Sequence, residues 1–255
     1  MNYKNLFETA MLAGEIMALS GAETYRVEDT MIRILKSSNL SSVEVYATTT
    51  GIVATLSDPA IEPITGVKRI VNRSNNLSRI NDVNQVSRNI CDGVMTIEEA
   101  RSTLEEVRYH KAYSNQIIAL ATIVSMAGFV GIFGGSWLDC LLAGVNGIFI
   151  VLIGNLADKR IGSAFIMDML KSFILAFITM IFNRYISGID RNLIIIGSIM
   201  PLVPGIPITN AIRDTLQGDY NSGTARAVEA FVISLGIAVG VGLGIGFFNF
   251  IGGIL

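Results

Sequence analysis

Past about residue 116 the chain becomes a succession of apolar blocks, and this feature limits its fold more than any other. A helix that crosses a bilayer needs about 20 predominantly apolar residues. Five stretches qualify, at about 116–135, 138–157, 162–182, 192–212 and 227–250. The links between them are short, so consecutive spans are expected to be antiparallel. Upstream, charges of both signs run throughout. The expected architecture is an α-helical membrane protein with five transmembrane helices, preceded by a small cytoplasmic α/β domain. The boundaries are 1–112 for the first domain and 113–255 for the second.

Composition agrees: 51% of residues are apolar and only 16% charged, too few charges for an ordinary soluble chain of this length. The net charge is −2 and there is no basic run, which argues against a nucleic-acid partner. Cys91 and Cys140 lie in different halves, so no disulfide framework is expected. Glu8 and Glu15 interrupt the apolar pattern of the N-terminus, which is therefore no signal peptide. This leaves the first domain in the cytoplasm.

With that domain inside, the links around Lys159–Arg160 and Arg213–Arg226 face the cytoplasm, and those with Arg184 and Arg191 face out. The basic bias is slight but has the right sign, and Arg101, Arg108 and Lys111 before the first span add to it. Tyr109, Trp137 and Tyr185 fall at expected membrane edges.

In the first domain, residues 3–19 and 23–38 have helical spacing, with Leu6, Ala10, Ala13 and Met17 on one face and Val27, Met31, Ile34 and Leu35 on another. VEVYATTT and GIVATLS read as strands, TGVKRIVN as a third, and SDPAIEP as a loop. A helix then stops at Gly93, and Thr96 with Glu99 forms a capping box that starts another. His110 is the only histidine, and phosphate-loop, nucleophile-elbow and metal-ligand spacings are missing. No enzyme, metal or cofactor is expected. Glu23, Arg26, Glu28 and Asp29 cluster at a helix start, either as a solvated cap or as a contact at the cytoplasmic mouth.

The fourth span holds the anomaly. Pro201, Pro204 and Pro207 recur within MPLVPGIPITNAIRD, where each removes a backbone donor. Non-helical backbone at membrane depth is tolerated where it lines protein or water. Broken helices of this kind build transporter substrate sites. Pro204, Gly205, Asn210, Arg213 and Asp214 are therefore candidates for the substrate path, Arg213 for a carboxylate. In the third span Asp168 and Lys171 share a face, either as a local ion pair or as a proton carrier and an anion contact. Asn146 and Glu229 are further polar candidates. Gly236, Gly240 and Gly244 repeat every four residues, which suits packing within the bundle or a face for a second subunit.

LSGAETYRVEDTMIRI, VYATTTGIVATL and MPLVPGIPITNAIRDTLQGDYNSGTARAVEA resemble the threonine/serine exporter family of bacterial membrane proteins, over nearly the whole chain. The resemblance implies efflux, with the proton gradient as driving force. Full-length members are similar to this chain followed by a second membrane half. The likeness is therefore to the large subunit of the two-chain type, associated with succinate export, which works with a small membrane partner. It implies a multi-pass protein of the bacterial inner membrane, and it marks Pro204, Gly205, Asn210, Arg213 and Asp214 as a shared core feature. The residues leave the cargo open. A second cation, Lys171, suits a dicarboxylate, while Asp168 or Asp214 suits the ammonium of threonine or serine. Two rival readings are a membrane-tethered enzyme and a sensor subunit whose partner forms the path.

Overall fold

The apolar repeat at the N-terminus forms helix α1 (Tyr3–Leu19) in the computed structural model, which describes residues 2–110, 113–157 and 163–252. Leu6, Ala10, Ala13 and Met17 are fully buried along its inner face. Helix α2 (Thr24–Lys36) adds Val27, Met31, Ile34 and Leu35 to the same core. Burying each large aliphatic side chain contributes roughly 1.5–3 kcal/mol. Strands β1 (Ser42–Thr48), β2 (Gly51–Asp58) and β3 (Ile61–Arg69) form an antiparallel meander in chain order. Ala47, Ile52, Ala54 and Leu56 join the core from one face of the sheet. The third strand starts earlier than its sequence indicated, because the expected loop shrinks to a turn at Pro59–Ala60. Pro63 is tolerated because β3 is an edge strand. Helix α3 (Leu77–Cys91) stops before Gly93, whose φ is +69°. Helix α4 (Ile97–Tyr109) opens with the capping box of Thr96 and Glu99.

The apolar blocks become α5 (Asn115–Ile132), α6 (Trp137–Ala157), α7 (Ala164–Tyr185), α8 (Arg191–Ile199), a 3₁₀ turn (Met200–Leu202), α9 (Gly205–Leu216) and α10 (Tyr220–Gly252). Four of these helices are long and apolar enough to cross a membrane, and the pair broken around Val203 and Pro204 makes a fifth if counted as one span. Lys111, Lys159 and Arg160, used above for orientation, lie outside the described residues.

The chain divides into two compact units. One comprises Met1–Ala112 and Ile206–Ala227, the other Tyr113–Gly205 and Val228–Leu255. The segment after the proline break thus groups with the N-terminal helices.

Within the second unit, Met126, Val130, Leu175 and Ile194 are fully buried. Gly236, Gly240 and Gly244 of α10 face α7. A Cβ on Gly240 would lie 2.3 Å from the Met169 carbonyl oxygen, and one on Gly244 would lie 2.5 Å from that of Phe173. Neither backbone can yield without parting the helices. Gly240→Val is therefore expected to cost at least about 1–3 kcal/mol through overpacking. Thermal unfolding in detergent checks this. Gly242→Val is the control, since a Cβ there meets nothing within 4 Å, and it is expected to be near neutral.

Candidate functional site

The α1–α2 connection is built around Gly21, whose φ of +83° is a left-handed conformation. A Cβ there would also lie 2.7 Å from the Asn75 side-chain oxygen. The turn leaves the Gly21 and Ala22 carbonyls and the N-terminal amides of α2 in need of partners. Residues about 190 positions later supply them. Asn210 Nδ2 donates to the Gly21 carbonyl at 2.8 Å, and Arg226 Nη2 to the Ala22 carbonyl at 2.7 Å. Asp214 accepts from the Thr24 N–H at 3.0 Å and from the Thr24 hydroxyl at 3.2 Å.

Glu23 stands at the N-cap of α2 but makes no capping bond with its side chain. Asp214 therefore acts as a cap from a distant part of the chain, with its negative charge at the positive end of the helix. Its charge is balanced by Arg226, whose Nε lies 2.8 Å away, and both side chains are buried. Glu23 turns to Arg213 instead and forms an ion pair with it.

Asn210, Arg213 and Asp214 are thus brought together, and their partners are protein groups of the first unit. Glu23 corrects one expectation. It is 5% exposed and ion-paired rather than part of a solvated cap. Burial alone would raise its pKa, but hydrogen bonds from its own backbone N–H and from Arg213, with the charges of Arg26 and Arg213, hold it below the ordinary 4.5. Glu28 goes the other way: burial raises it, opposed by the Ala47 N–H and helped by Asp219 and Asp214.

A pH dependence follows, with a definite sign. A depressed carboxylate binds protons more weakly in the native state than in the unfolded state. Its stabilisation is complete above the unfolded value of 4.5 and is lost as pH falls through the lower native value. Comparing unfolding at about pH 6 and about pH 4 should show a smaller acid-side loss in Glu23→Gln than in the wild type. Glu28 contributes oppositely and remains in both proteins, so the difference isolates Glu23.

The second unit holds a separate feature. A cavity of about 380 Å³ is lined by Asn115, Thr122, Ile150, Lys171, Pro201 and Leu202, among others. Lys171 is the only charged side chain among its described lining residues. Gly154 leaves room beside it, since a Cβ there would lie 4.0 Å from Nζ. Pro201 brings the start of the proline break to the same wall. Of the residues singled out as binding or coupling candidates, Lys171 alone lines this cavity. Asp168 is half-buried one turn earlier on α7, Pro204 is buried, and Gly205 begins α9.

One turn from the cavity residues Ile150 and Leu202, Asn146 and Ser198 meet Thr179 of α7. Asn146 Nδ2 donates to the Thr179 and Ser198 hydroxyl oxygens at 2.9 and 3.3 Å, and all three residues are fully buried. Sequence reading singled out Asn146 but had no means of finding its partners. It also missed Asp139, which is 2% exposed. Asp139 accepts from the Ser136 N–H and hydroxyl at 2.8 Å and from the Asp190 N–H at 2.9 Å, and so ties the ends of α6 and α8 together.

Comparison with known proteins adds what geometry does not. The family model described as "Putative threonine/serine exporter" matches residues 8–248. The chain belongs to the threonine/serine exporter family. Its relatives include the "Probable threonine/serine exporter" of Mycobacterium tuberculosis, 24% identical over 94% of this chain and 45% of that protein. The "Threonine/serine exporter" of Corynebacterium glutamicum is 26% identical over 83% of this chain and 48% of that protein. The chain spans about half the length of these exporters. The "Probable succinate transporter subunit YjjP" of Escherichia coli is 22% identical over 89% of this chain and 88% of that protein. No solved structure matches. Membership in an exporter family, with several apolar helices long enough to span, makes this a multi-pass membrane protein of a transporter family.

Proposed function

We propose that the chain is a subunit of a secondary-active exporter of small carboxylates, with succinate-type dicarboxylates as the first choice of cargo. The carrying observation is the cavity of about 380 Å³ in an apolar helical unit, with Lys171 as the only charged side chain among its described lining residues and Pro201 of the broken segment on its wall. A cation at membrane depth is costly unless it pairs or faces a cavity, and such residues mark substrate paths. Lys171 offers three donors to a carboxylate, while Asn115 and Thr122 offer polar contacts to the rest of the molecule.

Arg213, the carboxylate candidate on sequence grounds, receives a different role in this proposal. Glu23 already holds it, and with Asn210 and Asp214 it ties the segment after the proline break to the α1–α2 turn. Pro204 and Gly205, at the proline break, stay candidates for the substrate path, and Asp168 is the proton-coupling candidate one turn from Lys171 on α7.

A relative that is itself named a transporter subunit supports a two-part machine. The chain covers most of a protein named as a succinate transporter subunit and about half of those named threonine/serine exporters. On that likeness we assign the chain a small membrane partner of the same family, its first domain to the cytoplasm, and the whole to the bacterial inner membrane. Threonine and serine are the alternative cargo, favoured by the names of two relatives. The test is efflux from proteoliposomes holding both halves, preloaded with labelled succinate and threonine under an imposed proton gradient. Succinate efflux supports the first choice. Threonine efflux alone keeps the exporter and replaces the cargo. If neither moves with folded, assembled protein, the exporter reading is lost, and a sensor role for this chain takes its place.

A further inference from the structure

The first unit contains a cleft of about 310 Å³ formed by α1, β3 and α4, with no part in the transport path proposed above. Its apolar wall includes Phe7 and Met11. Gly66 lets the Phe7 ring lie against β3, because a Cβ there would sit 2.8 Å from the ring. Its charges come from both signs. Glu15 is 6% exposed and is gripped from two elements, by Lys68 at 3.0 Å and Arg108 at 3.1 Å. One buried carboxylate thus fixes two half-exposed cations side by side, and the trio carries a net positive charge. Arg101 is held by Glu8 at 2.7 Å and is neutral as a pair. Glu105, exposed on α4, also lines the cleft.

The three cations and three carboxylates among the described lining residues sum to zero. A dianion would gain from Lys68 and Arg108 but would be repelled by Glu105 and Glu8. A ligand with one carboxylate, one ammonium and a short body matches both signs and the apolar wall. We propose that this cleft binds a free α-amino acid. Its carboxylate lies on Lys68 and Arg108, its ammonium faces Glu105, and its side chain rests on Phe7 and Met11. The cations are preorganised by Glu15, so little ordering is required on binding. A role as a cytoplasmic sensor rests on the orientation proposed above; the binding does not.

The experiment is calorimetric titration of the full chain in detergent with L-threonine, and with succinate as comparator. Lys68→Met and Glu105→Lys change surface side chains, so the fold is expected to persist, which circular dichroism checks. Saturable threonine binding is expected, weakened about tenfold or more by each change, the size of one charge-assisted contact. Lys171→Ala is expected to leave that affinity unchanged. The proposal is overturned if threonine shows no saturable binding, or if binding ignores both cleft variants. It is also overturned if succinate competes for the threonine site with equal affinity. Loss of threonine binding in Lys171→Ala alone would assign it to the membrane cavity, sinking the cleft while leaving the exporter reading intact.

Discussion

Asp214→Ala is expected to destabilise the first unit by about 3–5 kcal/mol, the range seen when one member of a buried ion pair is removed. Asp214 is fully buried and Arg226 nearly so, at 0% and 7% side-chain exposure. The change strands the Arg226 charge in a buried site. It also uncaps α2, because the Thr24 N–H and hydroxyl both lose their acceptor. The effect should be local at first. Amide exchange in α2 should accelerate before that of α5 and α6, since the two groups of helices belong to different units. Pairing the change with Arg226→Met separates charge from cap. The double variant should recover most of the loss, because a neutral side chain of similar volume needs no counter-charge. A loss under about 1 kcal/mol for Asp214→Ala, the range of an exposed pair, would mean that the clamp does not hold this turn.

Lys171→Ala carries the second large effect, on transport rather than on stability. A charge-assisted hydrogen bond to a carboxylate contributes about 1.5–3 kcal/mol, or about 10- to 100-fold in affinity or rate. Because Lys171 is the only charged side chain among the described lining residues, none of the others can substitute for its charge. Efflux should fall by at least that factor. Thermal unfolding in detergent should change little, since the side chain is only half-buried. Lys171→Arg should retain part of the activity: the charge persists, but the planar fork does not reproduce the compact ammonium. Full activity in the alanine variant would move the cargo path elsewhere.

Much of this architecture could be read from residue order because the signals were periodic. Leu6, Ala10, Ala13 and Met17 fall on one helical face by spacing alone, and all four are buried. Thr96 and Glu99 mark a helix start by local chemistry that needs no tertiary context. The apolar blocks gave the long helices to within a few residues, except that α10 reaches back to Tyr220. What was not legible was pairing across the chain. Glu23 looked like a surface charge because its partner, Arg213, lies 190 positions away. Arg226 looked like a link residue and proved to be the buried partner of Asp214. Asp139 gave no signal beyond its place at a helix start, though Ser136 three residues earlier is a capping pattern that could have flagged it. The proline break was visible as a break. Which residues after it would turn to the N-terminal turn depended on long-range geometry that periodicity does not encode.

The central claim is that a small carboxylate leaves by way of the Lys171 cavity. Its most direct test is the rate of labelled succinate efflux under an imposed proton gradient, measured for wild-type protein and Lys171→Ala reconstituted with the second membrane half at equal incorporation. The account predicts gradient-dependent efflux in the wild type and a drop of at least about tenfold in the variant. Equal efflux from the two proteins would contradict it.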